Sequence, residues 1–411
     1  MPSVTPEALF FRALAVPTAA REDWIARACA PDPARAADLM ALLQAHDTAS
    51  RFLEEIPPVL PRPGPGSHIA HYTLRRRLGE GGCGVVFAAG RGEPDAPLVA
   101  LKLIKPGFDT PDAVARFDTE GRALARFAHP GIPRLIDSGQ TEAGDAYVAM
   151  ELVRGRRLTA HCDAQRLSVA GRLELFARFC DVLGHVHDRG VRHGDLKPAN
   201  ILVARAAGPR RGGSPVLIDF GLASLSDESG AALLAPASVS TAGTLSYLSP
   251  EQANADAGVD HRSDLYAAGV VLHQLLTGRT PFSGGGLHEL RQWFATASVV
   301  APSRLVASLD GSERRRLAQR RGTSATGLTR ALRGAVDLLM QRALARDPAR
   351  RFQSAAQFAA AIRRLLRTAP RPRPVSAAHA WSEPRASHSA TPATFPAHSG
   401  LPRRESPAAA A

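Results

Sequence analysis

Apolar and polar positions change rhythm several times along the chain, and each change marks an expected boundary. Up to about residue 56 the spacing is helical. Leu9, Phe10, Ala13 and Leu14 share one face after Thr5-Pro6, and Trp24, Ile25 and Ala28 share another behind Thr18, read as its cap. Leu39, Leu42 and Leu43 mark a third short helix over residues 34–45. Prolines 57, 58, 61, 63 and 65 then predict a stiff linker over residues 57–70. From His71 the pattern becomes strand-like: residues 72–78, then a run of glycines, Val85-Val86-Phe87, a turn, and residues 98–104. Residues 111–127 read as helix, ended by His129-Pro130, and residues 132–135 and 147–150 as two more strands. Beyond Val153 helices dominate. Residues 158–163 and 168–190 come first, the latter with Leu173, Phe176, Phe179, Val182, Leu183 and Val186 at helical spacing. Another helix begins near Asp264 and reaches Leu276, and a last one ends near Leu366. Residues 368–411 are rich in Pro, Ala, Ser and Arg with few apolar anchors, and are expected to be disordered. The resulting expectation is an α+β chain with a small helical preface, an antiparallel-sheet lobe (residues 71–152) and a mainly helical lobe (residues 153–367).

Composition narrows the functional classes. The chain has 411 residues, 45% of them hydrophobic, enough for two lobes and flanking pieces. No uncharged apolar window reaches the ~18 residues a membrane helix needs, so no membrane partner is expected. The start also lacks the basic and apolar regions of a secretory leader. The four cysteines (Cys29, Cys83, Cys162, Cys180) are scattered without a C-x-x-C pair, which argues for a reducing, cytoplasmic setting and against structural zinc. The net charge of +13 is carried by arginine throughout, so no nucleic-acid partner is expected from it. Only three lysines occur: Lys102, Lys105 and Lys197. In so arginine-rich a chain, a retained lysine points to a need for a compact ammonium.

Two of those lysines lie beside chemistry. Val191-Arg-His-Gly-Asp-Leu-Lys-Pro-Ala-Asn-Ile-Leu202 gathers a carboxylate (Asp195), an ammonium (Lys197) and a carboxamide (Asn200) on a loop that Pro198 keeps from becoming helix. Val216-Leu-Ile-Asp-Phe-Gly221 delivers a second carboxylate, Asp219, from an apolar strand onto a glycine turn. Two carboxylates and an amide form an oxygen-donor set suited to Mg²⁺, and the ammonium suits a phosphoryl oxygen. Gly79-Glu80-Gly81-Gly82-Cys83-Gly84 by itself is a weak signal, shared with dinucleotide-binding turns. Here β-branched residues follow the glycines, so they cap a hairpin and do not open a helix. Lys102, inside Val-Ala-Leu-Lys, faces either solvent or the interior by strand alternation alone.

Together these motifs resemble, in order and context, the bacterial eukaryotic-like (Hanks-type) serine/threonine protein kinases over roughly residues 72–367. The resemblance implies the two-lobed protein-kinase fold and transfer of the γ-phosphate of ATP to Ser/Thr hydroxyls of protein substrates. Mg²⁺, or Mn²⁺ in its place, would be the metal. It implies that Asp195 orients and deprotonates the acceptor, Lys197 steadies the phosphoryl group, and Asn200 and Asp219 hold the metal. Lys102 would grip the α- and β-phosphates, held by Glu120. ATP would be bounded by Leu78, Gly79, Glu80, Gly81, Gly82, Cys83, Gly84, Val86, Ala100, Met150 (the gatekeeper), Glu151 and Val153. The serine-rich stretch 223–242 is implied to be an activation segment and an autophosphorylation zone, closing on Gly243-Thr244 and the Pro250-Glu251 substrate floor. Asp264 would brace the catalytic loop, and Arg351 would partner Glu251.

One position departs from the family. Gly194 stands where an arginine usually grips an activation-segment phosphate, so activity is expected to depend little on such a phosphate. The rival reading is a pseudokinase scaffold that binds nucleotide or partner proteins; the presence of Lys102, Asp195, Asn200 and Asp219 argues against it. The arginines at 314–321 read as a solvated surface. Neither the oligomeric state nor the protein substrate is legible.

Overall fold

The computed structural model describes residues 6–14, 16, 20–30, 32–33, 36–43, 63–80, 84–92, 96–104, 121–141, 146–204, 213–220, 224–225, 245–256 and 258–368. Contacts divide the chain after Arg367. Near the start, α1 (Pro6–Leu14), α2 (Arg21–Cys29) and a helical stretch over residues 36–43 enclose a core of their own: Leu9, Ala13, Ile25, Cys29, Leu39 and Leu43. Helix α2 begins later than the Thr18 cap implied. Its N-cap is Ala20, which makes no side-chain capping bond. Arg21 Nε, at the start of the helix, donates to the Val16 carbonyl at 2.9 Å.

Strands β1 (His68–Ile69), β2 (Tyr72–Glu80), β3 (Gly84–Gly90), β4 (Val99–Ile104), β5 (Leu135–Gln140) and β6 (Ala146–Glu151) form one antiparallel sheet in the order β1-β2-β3-β4-β6-β5. Alternation gives the sheet two apolar faces. Val99, Leu101 and Leu103 pack with Tyr72, Leu74 and Phe87 on one side. Ala100 and Ile104 join Val148 and Met150 on the other, in a core continuous with the helical lobe. Strand β5 begins at Leu135, where the apolar pattern had placed its end. The Ile132 amide instead closes a turn onto the His129 carbonyl at 3.0 Å. Beyond Leu135 the edge strand runs through polar Asp137 and Ser138, which the apolar pattern could not signal. Asp137 Oδ2 accepts from the Tyr72 and Tyr147 hydroxyls at 3.3 and 3.0 Å.

The short strand β7 (Gly155–Arg157) leads into the helical lobe: α3 (Leu158–Ala164) and α4 (Val169–His187), the latter capped by Ser168 accepting from the Gly171 amide. Strand β8 (Val191–Arg192) precedes β9 (Ile201–Ala204) and β10 (Ser214–Leu217); β9 pairs with β10 on one side and β7 on the other. Ser224–Leu225, expected within a loop, is a strand, β11, antiparallel to β8. Helices α5 (Pro250–Asn254), α6 (Arg262–Thr277), α7 (Leu287–Thr296), α8 (Pro302–Ser308), α9 (Gly311–Arg320), α10 (Ala325–Leu332), α11 (Ala335–Ala343) and α12 (Ala355–Thr368) complete the lobe. Helix α6 is buried along nearly its whole length and is the post around which the others pack.

The arginine-rich stretch needs a correction. Arg321 is not on a solvated face: it is buried, donating from Nε to the Leu276 carbonyl at 3.0 Å and from Nη2 to that of Leu275 at 2.8 Å. Arg172 Nη1 reaches the Leu275 carbonyl too, at 3.1 Å. Two guanidinium groups thus satisfy the carbonyls that a helix C-terminus leaves without partners. Among the described residues no helix is long and apolar enough to cross a membrane. The residues expected to be disordered beyond Thr368 lie outside the described residues.

Candidate active site

The catalytic stretch is held by structure on both sides. Asp264, buried at the start of α6, accepts from the His193 amide at 2.8 Å, the Gly194 amide at 2.9 Å and His187 Nε2 at 3.0 Å. Burial works against its ionisation, but the His187 hydrogen bond and charge, with His193 and the Gly194 amide, hold its carboxyl below the usual range. On the other side the Ile218 amide donates to the Asn200 carbonyl at 2.9 Å, tying the loop to the strand end that carries Asp219. His193 is buried between them. Its Nδ1 accepts from the Asp195 amide at 3.3 Å, which leaves Nε2 to donate to the Ile218 carbonyl at 3.2 Å.

On this scaffold the three polar side chains converge. Lys197 Nζ lies 2.6 Å from Asp195 Oδ2, and Asn200 Nδ2 donates to the Asp195 carbonyl at 2.8 Å and to Oδ2 at 3.2 Å. Asn200 therefore directs its side-chain nitrogen inward, and among the described residues its side-chain oxygen Oδ1 makes no hydrogen bond. Asp219 has a left-handed backbone (φ 64°) that turns its carboxylate toward the sheet. There Lys102 Nζ meets Asp219 Oδ1 at 2.6 Å. Partial burial pushes the Asp219 pKa up, but the charge and hydrogen bond of Lys102, helped by His193 and Lys197, hold it down to about 2. Lys102 is buried, and as the residue between Ala100 and Ile104 it shares their face toward the helical lobe. Of the two directions that alternation allowed, the inward one is realised.

Val86 packs against the same core as Ala100 and Met150, so these three candidate residues form one apolar wall. Leu78, Gly79 and Glu80 are all part of β2, which runs two residues past the expected strand end, and Leu78 is exposed. Gly84 opens β3, Glu151 ends β6, and Val153 follows it, half-buried. The Glu151 amide is committed to the Arg134 carbonyl at 2.9 Å. Glu120, Gly81, Gly82, Cys83 and Thr244 lie outside the described residues, as does most of the serine-rich stretch.

Sequence reasoning did not find an aromatic stack behind the site. Phe220 is fully buried, 5.0 Å from the His193 ring and 5.3 Å from that of Phe127 (centroid to centroid). The run Val-Leu-Ile-Asp-Phe-Gly held the signal, since an aromatic directly after Asp219 points away from the carboxylate and into the core. The expected braces were found: Arg351 Nη1 and Nη2 each lie 2.7 Å from a Glu251 carboxylate oxygen. Arg192 donates from Nη1 to the Val259 carbonyl at 2.6 Å.

The donor set suits a divalent cation of the magnesium kind. Mg²⁺ is commonly held by one or two protein oxygens together with waters and substrate phosphates. Asp219 and Asn200 offer such a pair, and no cluster of three His, Cys, Asp or Glu side chains forms a closed metal cage among the described residues. A two-lobed fold, a buried lysine meeting a carboxylate across the cleft and a second carboxylate beside an ammonium define a phosphoryl-transfer type of site.

Comparison with known proteins agrees with this geometry. Residues 72–367 match the family described as "Protein kinase domain". The sequence is 35% identical over 319 residues to serine/threonine-protein kinase pkn3 of Myxococcus xanthus, covering 74% of this chain and 53% of that protein. It is 35% identical over 304 residues to serine/threonine-protein kinase PknJ of Mycobacterium tuberculosis, covering 73% of this chain and 46% of that one. The chain thus spans about half the length of the curated relatives it matches. Among solved structures, a double mutant of the Mycobacterium tuberculosis PknI kinase domain superposes with a TM-score of 0.52 at 26% identity, covering 74% of this chain and 99% of that one. The chain belongs to the protein kinase family.

Proposed function

We propose that the chain is an ATP-dependent serine/threonine protein kinase, with its catalytic domain over residues 71–367 and a helical appendage over residues 1–56. The observation that carries this reading is the Asp195–Lys197–Asn200 constellation, set beside Asp219 and the buried Lys102. Bound Mg-ATP supplies the transferable phosphoryl group and the divalent charge that stabilises its leaving oxygens. Asp195, half-buried and held by its own backbone contacts, orients the acceptor hydroxyl and takes its proton. Lys197, at hydrogen-bond distance from Asp195, neutralises charge on the transferring oxygens. Lys102 would hold phosphate oxygens of the bound nucleotide, and Asp219 with the side-chain oxygen Oδ1 of Asn200 would hold the cation. Positioning and charge neutralisation supply most of the rate in such a site.

We further infer that activity depends little on a phosphate in the activation segment. No guanidinium is available at Gly194, and that of the nearby Arg192 is engaged with the Val259 carbonyl. Treatment with a phosphatase should leave the turnover number unchanged within about twofold. The cytoplasm is the proposed setting, on the strength of the free thiols Cys29, Cys162 and Cys180.

The deciding experiment is transfer of labelled γ-phosphate from Mg-ATP by the purified chain, with Asp195→Ala alongside. Phosphoserine or phosphothreonine from the wild type, and loss of at least ~10³-fold in the variant, is the expected result. Tight nucleotide binding without any transfer by the wild type would instead identify a nucleotide-binding scaffold.

A further inference from the structure

The turn after the helical stretch 121–125 is docked onto α4 through two histidines. His129 Nδ1 accepts from the Gly131 amide at 3.0 Å, and its ring lies on that of His185, 4.5 Å between centroids. His185, near the end of α4, accepts at Nδ1 from Arg189 Nη1 at 3.1 Å. Arg189 also donates from Nε to the Arg126 carbonyl at 3.2 Å, so one guanidinium fastens the turn to the end of α4. The fit is tight: a side chain at Gly131 would stand 2.5 Å from a Val182 methyl of α4. A backbone amide and a guanidinium can only donate, so both Nδ1 atoms carry lone pairs and both rings are neutral, with their proton on Nε2. A second proton on either ring would have to enter at Nδ1, against an N–H that already points there.

The docked turn reaches Asp219 by two routes. The Gly131 carbonyl accepts from the Leu217 amide at 2.8 Å, two residues before Asp219. Phe127, at the start of the turn, lies 6.2 Å from the His185 ring and 5.3 Å from that of Phe220, the residue after Asp219. The charges around the pair do little to favour an imidazolium. Arg189 faces both rings, with Asp181 opposing it at His129 and Asp188 at His185. Asp181 is engaged by Arg363 of α12, and Asp188 is exposed. Residues 121–131 contribute Arg122 and Arg126 and no acid, and β10 contributes no charge. Burial first and Arg189 second lower the pKa of each ring. Both rings are half-buried, so protons can reach them from solvent.

We propose that His129 and His185 are positioning residues that act through Asp219: as a neutral pair they hold the turn on α4, the turn holds the strand end that carries Asp219, and protonation of the pair loosens that support and slows phosphoryl transfer. The inference rests on the kinase reading above. The docked rings take up a proton less readily than undocked ones, which return toward the ordinary value of about 6.5. Docking is therefore at full strength above pH 6.5 and weakens as pH falls below it. At pH 5.5, one unit lower, each ring favours the undocked turn by up to about tenfold.

The test compares wild type with His129→Asn/His185→Asn and with His129→Asn alone. An asparagine oxygen can accept where Nδ1 does, including from the amide two residues on, but it does not titrate. One readout is turnover of Mg-ATP with a serine peptide between pH 7.5 and pH 5.5, each protein normalised to its own value at pH 7.5. The other is hydrogen exchange of the Leu217 amide, compared between proteins at the same pH so that the intrinsic rate cancels. Any titration of Asp195 or His273 is common to all three proteins and cancels as well. On going to pH 5.5, wild type should lose about threefold to tenfold more turnover than the double variant, and its Leu217 amide should exchange faster by a similar factor. The single variant should fall between them, and it decides by the same ratios if the double variant does not fold. Normalised profiles that superpose, or equal Leu217 exchange at pH 5.5, would overturn the inference and, with transfer observed at pH 7.5, leave the kinase reading standing. Absence of transfer by wild type at every pH would overturn both.

Discussion

Arg351 and Arg157 carry the same guanidinium group in opposite circumstances. Arg351 is buried and engages all five N–H donors. Nε donates to the Ala345 carbonyl at 2.7 Å, Nη1 to Glu251 at 2.7 Å and the Arg262 carbonyl at 3.1 Å, and Nη2 to Glu251 at 2.7 Å and the Arg346 carbonyl at 2.8 Å. Its guanidinium also lies 4.9 Å from the Tyr266 ring centroid. Arg157 is exposed and, among the described residues, unpaired. The carboxylates divide the same way. Asp264 accepts three hydrogen bonds and is buried, while Asp219 meets the Lys102 ammonium and keeps part of its surface open. A charge whose partners are all supplied by the fold can only hold the fold together. A charge left short of partners can exchange them, which binding and catalysis require.

The largest effect should come from breaking the saturated set. Arg351→Met leaves the Glu251 carboxylate half-buried without its counter-ion and three backbone carbonyls without their donor. The expected cost is about 3–5 kcal/mol in urea unfolding, because losing one partner of a buried pair strands the other. Arg351→Lys should recover little, since one ammonium cannot reproduce a planar five-donor fork. A loss below about 1 kcal/mol in either variant would break the comparison.

Acidification applies the same test without mutation. His273 is buried in α6 with its Nδ1 at 2.8 Å from the Arg279 carbonyl and 3.3 Å from the Thr277 hydroxyl; no carboxylate is among its hydrogen-bond partners. Burial, opposed by the carbonyls of Arg279 and Val300, pushes its pKa down to about 4. The unfolded chain therefore takes up this proton more readily than the folded one. The contribution of the neutral ring is fully present above pH 6.5 and is lost as pH falls from 6.5 toward 4. Over that window stability should fall by about 3 kcal/mol from this group. His129 and His185, whose pKa values burial also lowers, should add a smaller decline. Thermal unfolding of His273→Gln between pH 7 and pH 4 should show a flatter profile than wild type; parallel profiles would remove His273 as the cause.

The site was legible where its residues are neighbours in sequence. Asp195, Lys197 and Asn200 fall in one short run, and a loop ahead of a strand has few ways to arrange them. Asp264 and Arg351 were legible through resemblance, because the residues around them carry the family pattern. Arg172 and Arg321 were not. Their partners are carbonyls at the end of α6, 103 and 46 residues away, and nothing local separates such an arginine from one on a wet helix face. Strand β5 escaped for a related reason: at a sheet edge polar Asp137 and Ser138 suffice, so the apolar signal fades although the backbone pairing continues. The pairing of Ser224–Leu225 with β8 is likewise set by a distant strand and leaves no local mark.

The smallest expected effect concerns Gly194, where the saturated set and the reactive one meet. Its amide donates to Asp264 Oδ1 at 2.9 Å, and the residue after it is Asp195. The backbone there has φ of 78°, in the left-handed region that a Cβ disfavours. Gly194→Ala should therefore cost about 1 kcal/mol, seen as a fall in Tm of about 2 °C. Gly194→Asn should cost less, since asparagine tolerates the left-handed region better than other side chains. The order glycine, asparagine, alanine in stability would show that the Asp264 brace imposes this conformation on whatever residue occupies the position. If alanine matched glycine, the brace would be yielding to the side chain. The geometry of Asp195 would then depend on more than the saturated contacts behind it, and the separation between holding and reacting charges would fail where the two sets are closest.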